Sequence, residues 1–215
     1  MLDLFAGESP WQEPLADGAV ILRRQARELA PQMLHIIDEV SAQAPFRHLI
    51  TPGGHTMSVA MTNCGQLGWV SDRRGYRYES RDPLTGKPWP ALPKWLTSFA
   101  HDAAGKAGYP NYIPDACLIN RYQESARMTL HQDKDEQDKQ APIVSVSLGV
   151  PAVFLFGGLS REAPVTKVLL EHGDVVVWGG VSRLNFHGIM PVKAASHPST
   201  GNVRFNLTFR LAGKG

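Results

Sequence analysis

From residue 115 onward the chain is a succession of short apolar and β-branched runs, at 116–122, 143–150, 153–156, 165–170, 175–178, 184–187 and 203–210. Gly, Pro and charged clusters separate them, and no helical periodicity intervenes. Many evenly spaced strands without helices can bury their apolar faces only against one another, as a sandwich or a barrel-like jelly roll. The preceding part, 1–114, reads differently. Residues 1–18 are punctuated by Pro and Gly and read as a surface wrap, and 19–22 as a short strand. After Pro31, Met33, Ile36, Ile37, Val40 and Ala44 recur at helical spacing, and Leu96, Phe99, Ala100 and Ala103 do so after Pro93. Between these helices 57–63 alternates like a strand, and 64–90 forms a long insertion rich in Gly and Pro, the kind of loop that often serves as a lid. The expectation is an α/β part over 1–114 packed on an all-β part over 115–215.

A chain of 215 residues can bury roughly 70% of its unfolded surface without disulfide or metal staples. Its 43% hydrophobic and 20% charged residues exclude a disordered, collagen-like or coiled-coil chain. No apolar run approaches the ~18 residues of a membrane span. Met1-Leu2-Asp3-Leu4-Phe5 carries no secretory signal. The two cysteines, Cys64 and Cys117, form no CxxC pair and fit a reducing compartment, so a cytoplasmic protein is expected. A net charge of +2 permits an anionic partner without requiring one.

The chemistry-bearing residues begin with Leu130-His131-Gln132-Asp133. In an extended strand, residues two apart share a face, so His131 and Asp133 can converge on one point, with His187 as a distant third donor. Two His and one carboxylate leave half of an octahedron open, the arrangement of a non-haem Fe(II) site. A chance HxD is common, and His172-Gly173-Asp174 is a second one. Its central Gly points to a tight turn instead. The strand 204–210 alternates: Phe205, Leu207 and Phe209 are apolar, while Arg204, Asn206, Thr208 and Arg210 are polar. Arg suits bidentate carboxylate binding, but an exposed, solvated face is the other reading of this pattern. Asn120 and Tyr122 could complete the polar wall, or act as a structural amide and a packing tyrosine.

Taken together, HxD at 131–133, His187 and RxNxxxR at 204–210 resemble the Fe(II)- and 2-oxoglutarate-dependent dioxygenases. Asn120-Arg121-Tyr122, LHQDKDE at 130–136, PIVSVSLG at 142–149, HGDVVVW at 172–178 and NLTFR at 206–210 resemble the AlkB family within them, the oxidative DNA dealkylation repair enzymes. The likeness runs through essentially the whole chain, including WQEPL at 11–15 and TPGG at 51–54.

This resemblance implies an α+β, mainly β fold. Residues 1–114 would supply N-terminal helices, strands and a nucleotide-recognition lid, and 115–215 a double-stranded β-helix (jelly roll) core, in one integrated domain. It implies that His131, Asp133 and His187 ligate Fe(2+), that Arg204 and Arg210 each hold one carboxylate of 2-oxoglutarate, and that Asn120, Tyr122 and Asn206 hydrogen-bond to it. A flipped base would be clamped between Trp69 and His131, with Asp135 at its exocyclic amine. Tyr76 and Arg161 would be further contacts, and Thr51, Met61 and Lys134 peripheral ones. Lys134, Arg161, Arg73, Arg74 and Arg77 could meet phosphates.

The implied activity is demethylation of 1-methyladenine and 3-methylcytosine in DNA, single strands preferred, with RNA as a further substrate. The enzyme would be a monomer that releases formaldehyde, succinate and CO2. Alternatives are a dioxygenase of the same fold acting on a protein, lipid or small molecule, and a nucleic-acid-binding module with a structural metal. Two positions depart from the family pattern: Arg127 stands for a Lys and His55 for a Tyr.

Overall fold

The computed structural model describes residues 9–213. In its first half, strands β1 (Trp11–Ala16) and β2 (Ala19–Arg23) precede helix α1 (Ala30–Gln43). Then come β3 (Arg47–Ile50), β4 (Thr56–Gly65), the hairpin β5 (Gly68–Asp72) and β6 (Gly75–Glu79), and helix α2 (Lys94–Lys106). The second half contributes β7 (Ala116–Tyr122), β8 (Met128–His131), β9 (Ile143–Gly149), β10 (Ala152–Phe156) and β11 (Thr166–Leu170). It ends with β12 (Val175–Trp178), β13 (His187–Ile189) and β14 (Arg204–Arg210).

The strands form an eight-stranded sheet in the order β1-β2-β12-β9-β14-β7-β4-β3 and a four-stranded sheet in the order β11-β10-β13-β8. Strands from both halves of the chain thus share the major sheet. One face of that sheet is covered by the helices: Met33, Ile37 and Val40 of α1 and Leu96, Phe99 and Ala100 of α2 pack with Val144, Val146, Val175, Val177, Leu207 and Phe209. The opposite face meets the minor sheet, where Val176 and Trp178 of β12 join Phe154, Phe156 and Ile189. A strand covered on both faces must be apolar at every position, which is why Val175–Trp178 does not alternate. Each such buried side chain contributes roughly 1.5–3 kcal/mol. The mainly β architecture is the jelly-roll core expected from the run of short strands.

Several local features differ from the sequence expectation. The segment read as a surface wrap includes β1, which pairs with β2 from Trp11↔Arg23 to Ala16↔Ala19; residues 1–8 of that expectation lie outside the described part. Pro14 is tolerated because β1 is an edge strand, and the pairing slips between Pro14 and Ala16. The apolar run 184–187 is not a strand until His187. A turn closed by Asn185 N–H to Ser182 C=O at 3.0 Å precedes it.

The turn predicted at His172-Gly173-Asp174 is present. Gly173 has φ +91°, and a Cβ there would press on Arg27 at 3.0 Å. His172 Nδ1 accepts the Gly149 N–H at 2.9 Å, and Asp174 pairs with Arg23 at 2.7 Å. The second HxD is therefore structural. Burial, then His197 and Arg27, push the His172 pKa down to about 4. A histidine kept neutral in the fold contributes stability above its unfolded pKa of about 6.5, lost as pH falls toward 4. Melting curves of the metal-free protein between pH 7.5 and 4.5 should show a falling Tm, with a shallower slope in His172→Asn.

Candidate metal centre and cosubstrate pocket

His131 ends β8 and His187 opens β13, and the two are direct cross-strand partners. Their strands approach closely because residue 188 is glycine: a Cβ there would lie 2.6 Å from the Met128 carbonyl oxygen. The rings come to 4.4 Å between centroids. Asp133 follows β8 in irregular backbone. Its Oδ1 lies 3.6 Å from His131 Nε2 and 3.7 Å from His187 Nε2. One ligand atom from each of the three residues falls within 4.8 Å of the others.

The tautomers are set by the backbone. A carbonyl oxygen can only accept, so His131 Nδ1–H donates to Thr129 O at 2.8 Å and His187 Nδ1–H to Asn185 O at 3.0 Å. Both Nε2 lone pairs are thereby left for a cation, the usual outer-shell arrangement of a metal-ligating histidine. Burial, then His131, push the His187 pKa down to about 4, so it stays neutral as a ligand must be. Burial raises the Asp133 pKa, but Arg210, His187 and His131 outweigh it and hold the carboxyl well below the usual range. Two imidazoles and one carboxylate with open positions suit ferrous iron.

The polar face of β14 turns inward and is buried, so the solvated-face reading of 204–210 does not hold. In register across β7, β14 and β9 lie Asn120, Asn206 and Ser147; on either side are Tyr122 with Arg204, and Leu118, Thr208 and Ser145. Asn206 links this face, receiving hydrogen bonds from Asn120 at 3.1 Å and Thr208 at 2.7 Å and donating to Ser145 at 2.7 Å. At one end, Arg210 Nη2 and Nε hold Asp133 Oδ2 at 2.7 and 2.9 Å.

At the other end Arg204 is 1% exposed. It donates to Ser147 Oγ at 3.0 Å and stands over the Tyr122 ring at 5.8 Å, while its Nε and Nη1 have no hydrogen-bond partner among the described residues. Burial pushes its pKa down. Tyr122 is pushed up to about 12, also by burial, and stays neutral. A buried guanidinium without a carboxylate is costly, so this end of the polar face suits an anion. The residues present fit both iron and a diacid.

Sequence reasoning did not single out Glu136, Arg183 or Tyr78. Arg183 donates to the backbone oxygens of Asp133 at 2.7 Å and Ala141 at 2.8 Å, and to Glu136 Oε2 at 3.1 Å. It thereby fixes the loop that carries the carboxylate ligand. Glu136 lies inside the LHQDKDE string, three residues past Asp133, the one signal that could have marked it.

The hairpin brings Trp69 to this loop: its Nε1–H donates to Asp135 Oδ2 at 2.8 Å. Tyr76 stacks on Trp69 at 5.5 Å and 15°. Arg161 is exposed, donates to Leu130 O at 2.6 Å and covers the Phe186 ring at 5.0 Å. Met61 is buried opposite Asn120, and Lys134 is exposed. The Thr51 hydroxyl closes a turn by accepting the His55 N–H at 3.1 Å. Arg74 and Arg77 pair with Asp72, and Arg77 with Glu79 as well, so their charge is spent largely within the hairpin. Arg127 is exposed, its backbone bonded to Ser58 in both directions.

The sequence matches the 2OG-Fe(II) oxygenase superfamily over residues 18–210. It is 65% identical over 212 residues to the alpha-ketoglutarate-dependent dioxygenase AlkB of Salmonella typhimurium, covering 99% of this chain and 98% of that one. The chain belongs to the AlkB family. Another member, the DNA N(6)-methyladenine demethylase ALKBH1C of Arabidopsis thaliana, is 34% identical over 170 residues, 67% of this chain and 37% of that protein. The solved structure of OsALKBH1 aligns with TM-score 0.78 at 29% identity, over 92% of this chain and all of that one. An AlkB-family member is a 2-oxoglutarate- and Fe(II)-dependent dioxygenase, and the His131–Asp133–His187 cluster meets that requirement. No described helix is long and apolar enough to cross a membrane.

Proposed function

We propose that the protein repairs N-alkylated bases, 1-methyladenine and 3-methylcytosine, in DNA by oxidative demethylation, with RNA as a further substrate. The observation that carries this reading is the Trp69–Tyr76 stack, bonded through Trp69 to Asp135, two residues beyond the metal-ligand candidate Asp133. An aromatic platform beside an oxidising centre suits a flat, extruded substrate. A base inside a duplex hides its alkylated edge, so the enzyme acts on single strands by preference or flips the nucleotide out. The name and similarity of ALKBH1C support a nucleic-acid substrate.

In this reading His131, Asp133 and His187 hold iron. Arg210, beside Asp133, takes the 2-oxoglutarate carboxylate nearer the metal, and Arg204 takes the other, with Asn120, Tyr122 and Asn206 as hydrogen-bonding partners. Bound iron, 2-oxoglutarate and O2 supply oxidation of the N-alkyl carbon, releasing formaldehyde, succinate and CO2. The chain's own residues hold the reactants in place and keep water out. Trp69 and His131 clamp the base, and Asp135 offers its second oxygen to the exocyclic amine. Tyr76, Arg161, Thr51 and Lys134 border the strand, while Met61, named with them from the sequence, is buried in the major sheet and lies beneath that surface. The buried, unbridged Cys64 and Cys117 support a cytoplasmic location, and we take the enzyme to act as a monomer.

Incubating a methylated oligonucleotide with Fe(II), 2-oxoglutarate and O2 should release formaldehyde. Trp69→Ala should lower kcat/KM on the base about 5- to 150-fold, the equivalent of ~1–3 kcal/mol of stacking. Wild-type enzyme that yields no formaldehyde, or a Trp69→Ala variant as active as wild type, refutes the base reading and favours another substrate class.

A further inference from the structure

Each strand of the β5–β6 hairpin sends one side chain to the loop after Asp133. Trp69 of β5 reaches Asp135. Tyr78 of β6 donates its hydroxyl proton to Glu136 Oε1 at 2.5 Å. The same hydroxyl oxygen lies 3.5 Å from Arg210 Nη1, which donates to it, and Glu136 Oε1 lies 3.5 Å from Arg210 Nε. Arg210 is thus held on one edge by Asp133 and on the other by a phenol that belongs to the hairpin. Glu136 cannot easily yield, since Arg183 holds its second oxygen at 3.1 Å and both side chains are almost fully buried.

The hydroxyl is the part of Tyr78 that matters here. Stacking in the hairpin is between Trp69 and Tyr76, and Tyr78 takes no part in it. Burial raises the Tyr78 pKa well above 10, so the group remains a donor at ordinary pH. The backbone of the same Trp69 is held by the Asn63 side chain, donating its N–H to Asn63 Oδ1 and accepting from Asn63 Nδ2 at 3.0 Å each, which ties the start of β5 to the major sheet.

We propose that Tyr78 is a positioning residue that makes the seating of the β5–β6 hairpin and the pose of Arg210 a single event. With the hairpin seated, the phenol bridges Glu136 and Arg210 and fixes the guanidinium for its carboxylate. With the hairpin lifted, Arg210 loses that edge. This inference rests on the reading of Arg210 as a 2-oxoglutarate ligand and of the hairpin as the base clamp.

Tyr78→Phe removes the hydroxyl and keeps the ring. In ligand-free protein, amide hydrogen exchange across residues 68–79 should accelerate at least fivefold, while β9 and β14 exchange as in wild type and confirm the fold. With enzyme assayed on methylated oligonucleotide, KM for 2-oxoglutarate should rise about tenfold and kcat change less than twofold, with more succinate formed per formaldehyde. Unchanged hairpin exchange overturns the proposal, as does faster exchange with a wild-type KM. If wild-type enzyme releases no formaldehyde, the base reading fails by itself, and the exchange comparison, which needs no substrate, still tests the clasp.

Discussion

Replacing Asp133 by alanine should reduce formaldehyde release to background and, separately, destabilise the metal-free protein by about 3–5 kcal/mol, the usual cost of breaking a buried ion pair. The two effects have different origins. Catalysis fails because the one anionic donor of the triad is gone and neutral imidazoles alone hold the cation weakly. Stability falls because Arg210 remains buried after losing the carboxylate that held both Nη2 and Nε. Glu136 Oε1 at 3.5 Å compensates only in part, since it already serves Tyr78. For a chain this long the loss corresponds to roughly 10 °C in Tm. Asp133→Asn separates the two effects: its amide oxygen can still accept from Arg210, so it should lose less stability than the alanine variant yet remain inactive. The checks are denaturant unfolding of the metal-free proteins and formaldehyde release by iron-loaded ones. An alanine variant as stable as wild type, or one retaining a tenth of its turnover, would falsify this account.

What could be read from residue order alone follows from the range of the interactions involved. His131 and Asp133 share a short segment, and the alternation of 204–210 lies on one strand, so local pattern points to both. The strand Val175–Trp178 was legible as a short apolar run, and its burial on both faces, seen in the fold, accounts for the run being uninterrupted. Whether the polar face of β14 meets water or a pocket was not legible, because it depends on β9, the minor sheet and the 132–136 loop arriving from elsewhere. Glu136 and Arg183 were missed for a related reason. A Glu and an Arg 47 positions apart read as ordinary surface charges until the fold buries them against each other. The start of β13 was misplaced because Leu184 and Phe186, although apolar, are only half-buried in the turn before the strand, with the Phe186 ring covered by the Arg161 guanidinium rather than by a paired strand. The edge strand β1 was hidden by Pro14, which breaks the usual strand signal yet is acceptable where one side of the backbone has no neighbour.

The second large effect concerns Arg204, and its sign differs between free and liganded protein. Arg204→Met should leave the free protein as stable as wild type or slightly more so. The wild-type guanidinium is buried with Nε and Nη1 unpartnered, and replacing an uncompensated buried charge by an apolar side chain of similar length removes that penalty. The opposing losses are the hydrogen bond to Ser147, worth about 1 kcal/mol, and the contact of the guanidinium with the Tyr122 ring, which a methionine thioether replaces in part. Cosubstrate binding should suffer in full. Truncating one partner of a buried charge pair costs about 2–5 kcal/mol, so 2-oxoglutarate affinity should fall at least thirtyfold. Thermal melting with Mn(II) in place of iron reads both effects at once. At a hundred times its Kd, 2-oxoglutarate stabilises the wild type by about 2.7 kcal/mol, an upward shift of roughly 5–10 °C, whereas a variant thirtyfold weaker should gain only about 0.9 kcal/mol at that concentration, a third of the wild-type shift or less. A variant that melts well below wild type without cosubstrate, yet still shifts fully with it, would mean that Arg204 is a structural cation and that the diacid is held elsewhere.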